Sequence, residues 1–341
     1  MKKIIISLIF CIATLTACAT APTEHANTSE INFPASSVNE ETEERDVDSE
    51  KLTIVATLFP QYDFSRQIVG DKVNVVMLMP LGIDTHSYEP SPNDVVRIDS
   101  SSMFVYTGEE LEPWAKRILS GLDNKSLKIV DVSQNIALGK EDNDDHDHDH
   151  DHDHDQDQDI HGHIEPLYDP HIWTDPINAK IIVDTITEAI SELDPENAQY
   201  YRENAENYKI LLDELDADFR RVVEEGNRTE MVFGGRFAFY YFVNRYGLDY
   251  ISAYDSCFGE SEPSTRAVLD LINKVKEEDV RVIYYEELST PRVSQMISDE
   301  TGAKMLVFRA CHNVSREELQ QGVTYYSLMK QNVEHLKEGL Q

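Results

Sequence analysis

Basic residues are scarce in this chain. Thirty lysines and arginines stand against 64 acids in 341 residues, a formal charge of −34. A phosphate-binding surface needs concentrated lysine and arginine, so nucleic acid is excluded as a partner and a cationic ligand fits better. Much of the excess is local. Residues 24–50 hold nine acids and one arginine, and residues 141–159 hold eleven acids and no base. Setting both aside with Lys2 and Lys3 leaves 44 acids against 27 bases, so the body sits near −17. Cysteine is nearly missing as well: only Cys11, Cys18, Cys257 and Cys311 occur. The last two could form one disulfide or a thiolate pair beside a metal, and spacing leaves both open. No apolar run long enough to span a bilayer follows the first 17 residues. His-Glu-x-x-His and Gly-x-Ser-x-Gly are also missing, which leaves a metal-dependent hydrolase without its usual general base or nucleophile.

At the N-terminus, Lys2 and Lys3 precede an apolar run from Ile4 to Ala17, the layout of a secretory leader (residues 1–17). Leu15-Thr16-Ala17-Cys18 resembles a bacterial lipobox, which implies cleavage before Cys18 and lipidation of that residue. An ordinary leader with an incidental cysteine, or a short membrane anchor, would read the same way. Residues 18–50 carry almost no large apolar groups, so they cannot bury enough surface to offset their ordering entropy. They read as a flexible acidic tether.

From Lys51 the chain alternates strand and helix signals. LTIVATLF (52–59), VNVVMLM (73–79), MFVYTG (103–108) and LKIVDVS (127–133) read as strands, with helices at 62–69, from Ser91, and over EPWAKRILSGL. Ser91 and Asp94 form a capping box with Pro92 in the first turn. MVFGG (231–235), DYISAYDS (249–256), VRVIYYEE (280–287) and KMLVFRAC (304–311) repeat the alternation, and a last helix covers Tyr325 to Gly339. Such alternation implies α/β lobes with mostly parallel sheets and a ligand at the carboxyl ends of the strands.

Between the two sets, Asp175-Pro176 caps one helix and Asp194-Pro195 opens a longer one. In the longer helix Tyr201, Ala205, Tyr208, Leu212, Leu215, Phe219 and Val222 make a single apolar stripe of about six turns. That is either a strut joining two lobes or a coiled-coil dimer seam, and the heptads stop after three. The expected organisation is a first lobe over 51–194, a linking helix over 195–226 and a second lobe over 227–341, in a monomer.

Seven of the twelve histidines lie in one tract, His146, His148, His150, His152, His154, His161 and His163, and the first five alternate with aspartate. No apolar residue interrupts it before Ile160, so it cannot pack against a core. An imidazole titrating near ~6.5 is largely neutral at pH 7 and free to bind Zn²⁺ or Cu²⁺. The insertion at 142–163 therefore reads as an auxiliary metal collector. His25 lies in the tether and His335 reads as a surface position of the last helix. His86, His171 and His312 stand in loops at strand ends, where neutral imidazole could ligate a metal.

The stretches around those histidines carry a resemblance. THSYEPSPND (85–94), TGEELEPW (107–114), YDPHIWTDPINAK (168–180) and the closing YYSLMKQNVEHLKEGL resemble the zinc/manganese ABC-transporter solute-binding lipoproteins. So do the lipobox, the opening LTIVATLFPQYDFSRQIVGDKVNV and the histidine-rich insertion before Asp-Pro-His. The resemblance implies two (β/α) lobes joined by one long backbone helix, no enzymatic activity, a lipid-anchored extracytoplasmic location and an ABC permease as partner. It also implies a metal between the lobes, held by His86 and His171.

The second lobe departs from the pattern. Arg236 stands where the family has a third ligand, and a guanidinium cannot coordinate a cation. No acid stands in FRACHN (308–313), where a fourth ligand often follows the last strand. His312 and then Glu260 are the candidates to complete the site, with Arg236 paired to Glu260 or Glu262, and Glu286 and Glu287 end a strand at the same rim. Cys257 and Cys311 follow the second and fourth strands of this lobe, and a disulfide is favoured over thiolate ligation. Two or three imidazoles favour Zn²⁺, whereas a carboxylate-rich site would suit Mn²⁺. The family's other ascribed role, surface adhesin, need not exclude transport.

Overall fold

The computed structural model describes residues 51–83, 85, 88–139, 168–254 and 263–341. Two four-stranded parallel sheets organise them. In the first lobe, β1 (Thr53–Ala56), β2 (Asn74–Met77), β3 (Met103–Tyr106) and β4 (Lys128–Asp131) lie in the order β2-β1-β3-β4. The register sets Thr53 against Asn74, Ile54 against Met103 and Met103 against Lys128. All four residues of β3 are buried, which explains a strand signal without polar alternation: both faces of a parallel sheet are covered by helices. Those helices are α1 (Phe59–Val69), α2 (Pro92–Asp99) and α3 (Trp114–Gly121). The expected capping box forms at α2, where Ser91 accepts from the Asp94 amide and Asp94 accepts from the Ser91 amide. α1 begins three residues earlier than the sequence suggests, because Pro60 suits a first helical turn.

The second lobe repeats the plan. Its strands are β5 (Glu230–Phe233), β6 (Asp249–Ser252), β7 (Val282–Tyr285) and β8 (Lys304–Val307), in the order β6-β5-β7-β8. Between and after them run α6 (Tyr240–Tyr246), α7 (Thr265–Glu277), α8 (Arg292–Thr301), α9 (Arg316–Gln320) and α10 (Tyr325–Gly339). Gly234, just past β5, is a close approach: an added Cβ would stand 2.6 Å from the Ser294 Cα of α8.

Two helices connect the sheets, α4 (Pro176–Leu193) and α5 (Ala198–Glu225). Asp175 caps α4 by accepting from the Ile177 amide at 2.7 Å. α5 starts at Ala198 rather than Pro195, with Asn197 as its cap residue. Asp194 instead accepts from the Tyr201 hydroxyl at 2.5 Å and the Asn197 side-chain Nδ2 at 2.8 Å, closing a turn ahead of the helix. Every residue of the predicted stripe from Tyr201 to Val222 is buried inside this chain, so the stripe is a strut face and not a dimer seam. At 28 residues α5 is about 42 Å long.

The strut touches both lobes. Asn204 donates to the Ile68 carbonyl of α1 at 2.9 Å, Lys209 pairs with Asp184 of α4 at 2.6 Å, and Asp216 receives Arg245 of α6 at 2.7 Å. Asp218 pairs with Lys330 of α10. One apolar core runs through all three parts, joining Ile54 and Val105 to Leu212 and Phe219 and then to Phe233 and Tyr284. Burying each large side chain contributes roughly 1.5–3 kcal/mol, so a continuous core opposes any wide separation of the lobes. Separate apolar layers cover the outer sheet faces, around Phe104 and Trp114 in the first lobe and Ile272 and Ile283 in the second.

Candidate metal centre

His171 enters the space between the lobes on a short helical turn, Ile172–Thr174, that leads into α4. Asp169 fixes it twice. The Asp169 Oδ1 accepts from the His171 backbone N–H at 2.8 Å and faces the ring Nδ1 at 2.9 Å. Both side chains are almost wholly buried. A carboxylate beside Nδ1 selects the tautomer with its proton there and leaves Nε2 as the lone-pair atom. Asp-Pro-His is thus a local device: the acid two residues upstream orients the imidazole.

His312 comes from the segment after β8. Its Nδ1 lies 3.0 Å from Oε1 of Glu286, at the end of β7. The same tautomer argument points its Nε2 lone pair away from the carboxylate. The two imidazole rings are 4.8 Å apart between centroids and perpendicular. Trp173 stands at the edge of both, 5.7 Å from the His171 ring and 5.4 Å from the His312 ring. A zinc ion 2.0–2.1 Å from two Nε2 atoms at a near-tetrahedral angle sets the ring centres roughly 5 Å apart. The pair is therefore spaced to share one ion.

A cleft of about 340 Å³ adjoins His312, and Thr85, Arg236, Tyr254, Glu286 and Glu287 line it. Glu287 is buried, and its Oε2 accepts from the Ala310 amide at 2.8 Å. Burial pushes its carboxyl upward, the neighbouring Glu286 carboxylate adds to that, and His312 opposes it. Arg236 does stand at the cleft just past β5, as the sequence placed it.

The structure brings together His171 and His312, one from each lobe. Among the described residues no group of three His, Cys, Asp or Glu side chains forms a metal cage. His86, Glu260, Glu262, Cys257, Cys18 and the seven histidines of the tract lie outside the described residues, although Ile83 and Thr85, which lead to His86, line the cleft. Cys311 is a free thiol with no exposed surface, and burial pushes its pKa well up. A free thiol here does not match the disulfide favoured from the sequence, and its burial also disfavours a thiolate ligand at this residue. His335 is not the plain surface residue expected: it is half-buried, and its Nδ1 meets the Val307 carbonyl of β8 at 2.6 Å. Sequence reading missed the orienting roles of Asp169 and Glu286. The proximity of Asp169 to His171 was a usable signal for the first; nothing local marks the second.

Comparison with known proteins agrees with this architecture. Residues 54–339 match the family model described as zinc-uptake complex component A, periplasmic. The high-affinity zinc uptake system protein ZnuA of Bacillus subtilis strain 168 is 34% identical over 297 residues, spanning 86% of this chain and 89% of that protein. The Zn(II)-bound ZnuA-like domain of Streptococcus pneumoniae AdcA superposes with a TM-score of 0.69 at 28% identity, over 85% of this chain and 99% of that one. The laminin-binding protein Lmb of Streptococcus agalactiae, described as bifunctional with adhesin and metal-transporting activity, gives a TM-score of 0.70 at 26% identity, over 85% and 100%. Two parallel sheets on a common strut, paired imidazoles between them and a match over nearly the whole body lead to one conclusion: the chain belongs to the periplasmic zinc-uptake complex component A family, whose members are metal-binding receptors and not enzymes.

Proposed function

We propose that this protein captures Zn²⁺ between its lobes and delivers it to an ABC permease. Capture uses the Nε2 atoms of His171 and His312, with His86 as the third ligand and Glu260 as the candidate for a fourth position. The observation that carries the reading is the perpendicular imidazole pair, 4.8 Å between centroids, with each Nδ1 on its own carboxylate. Imidazole donors prefer zinc to manganese, and the zinc-named relatives support the same choice. Zinc is cargo here, so ligands drawn from separate segments serve release as well as retention. Lipidated Cys18, left as the first residue once the leader is removed, tethers the receptor to the outer face of the cell membrane, and the tract at 142–163 gathers ions without being the transport site.

Competitive titration with Zn²⁺ and Mn²⁺ tests this on the intact chain and on a chain lacking residues 142–163. One tight zinc site that survives the deletion and is lost with His171→Ala is the expected result. Tight binding that leaves with the tract, or a preference for Mn²⁺ at one equivalent, contradicts the reading.

A further inference from the structure

The segment carrying His312 belongs to the second lobe by sequence and to the first by its hydrogen bonds. Residues 310–314 follow β8, and all five are buried. Three of their carbonyls accept from the first lobe: Ala310 from Trp173 Nε1 at 2.6 Å, His312 from the Phe59 amide at 3.1 Å, and Val314 from the Gly82 amide at 3.0 Å. The Asn313 amide adds two more bonds in the other direction, donating to the Pro80 carbonyl at 2.8 Å and the Ile83 carbonyl at 3.1 Å. Its Oδ1 accepts from the Val314 amide at 2.8 Å, which fixes the orientation of the side chain. Cys311 adopts a φ of +62°, a left-handed conformation uncommon for a residue with a side chain, and this turn sends the segment across the boundary.

We propose that Asn313 is a positioning residue for metal retention: its amide locks the His312 segment onto the Pro80–Ile83 loop, so that the ligand loops of the two lobes move as one body. The proposal rests on the reading of His312 as a ligand. Pro80 and Ile83 precede His86 in the sequence, so the two Asn313 bonds tie the His312 segment to the stretch that leads to His86. An amide with one donor on each of two carbonyls fixes a distance between them and the ligand, which a single bond would not. In this role Asn313 acts through His312 and not as a ligand. It sets how far His312 can move before the ion is released.

The test is zinc release from the intact chain to an excess of chelator, followed by stopped flow, with circular dichroism of the metal-free protein as the control for folding. Asn313→Asp keeps the shape and the bond to the Val314 amide but removes both donors. Zinc release is expected to accelerate about tenfold or more, the scale of an outer-shell change. Asn313→Ser, which cannot span both carbonyls, is expected to act in the same direction and serves if the aspartate variant does not fold. In a His312→Ala background the effect of N313D should shrink to less than about twofold, because a residue acting through His312 has nothing left to position. A folded N313D or Asn313→Ser protein with unchanged release overturns the proposal, as does an equal acceleration with and without His312. If His312→Ala alone leaves zinc affinity intact, the ligand reading itself is wrong and this proposal falls with it.

Discussion

The two lobes share a sheet order but hold their functional groups in different ways. Each has a buried glutamate beyond the third strand of its sheet, Glu112 after β3 and Glu287 after β7. Glu112 staples its own lobe, accepting from the Thr107 amide at 2.6 Å and the Gly108 amide at 3.3 Å. Glu287 accepts from the Ala310 amide and so staples the segment that carries His312. The imidazoles repeat the contrast. His171 is oriented by an acid two residues away, whereas His312 is oriented by Glu286, 26 residues away just past β7. The first lobe orients its imidazole with a self-contained local device; the second orients its imidazole from distant parts.

Removing either imidazole tests whether both lobes hold the ion. His171→Ala and His312→Ala should each weaken zinc binding well beyond the ~10–100-fold typical of an outer-shell change, read by chelator competition. If only His171→Ala does so, the second lobe is scaffold and the contrast collapses.

The next effect is on stability. Burial pushes Glu112 up to about 7, above the ~4.3 of an unfolded glutamate. Between these values the folded state keeps a proton that the unfolded chain has released. This contribution is complete below about pH 4 and is lost as the pH rises through about 7. Glu112→Gln should therefore flatten the pH profile and raise stability above pH 7 by up to roughly 3 kcal/mol, measured by urea unfolding of the metal-free protein. A variant that is less stable at pH 8 would show that the ionised carboxylate is needed.

The orienting acids come third. Asp169→Ala and Glu286→Ala should each cost about 10–100-fold in zinc affinity. Asp169 should be the larger loss, since it also holds the His171 backbone N–H. Equal losses would mean that the local device has no advantage over the assembled one. The smallest effect is expected from Trp173→Phe, which removes the bond from Nε1 to the Ala310 carbonyl and should cost about 1 kcal/mol of stability.

Much of the fold was legible because it rests on local patterns. Buried four-residue strands, Ser91 with Asp94 and the stripe of α5 all announce themselves within a few residues. The placement of His171 beside the other lobe's His312 was anticipated from the motif around it. His312 was named first for its place in a strand-end loop and again as a candidate once Arg236 was set aside, while its partner Glu286 was grouped merely with the rim. The bonds that place His312 could not be read at all, because they end on backbone carbonyls of Pro80 and Ile83, which any residue supplies. His335 was misplaced for a related reason: helical periodicity assigns faces of α10 but does not show that β8 runs beside its flank with the Val307 carbonyl exposed to it.

The central claim is that one ion is shared by imidazoles from both lobes. The most direct measurement is anomalous diffraction at the zinc edge from crystals of the protein carrying one equivalent of Zn²⁺. The account predicts a single peak between the lobes, about 2.0–2.1 Å from the Nε2 atoms of both His171 and His312. A peak bound to His171 without His312, or one located only on the histidine tract, would contradict it.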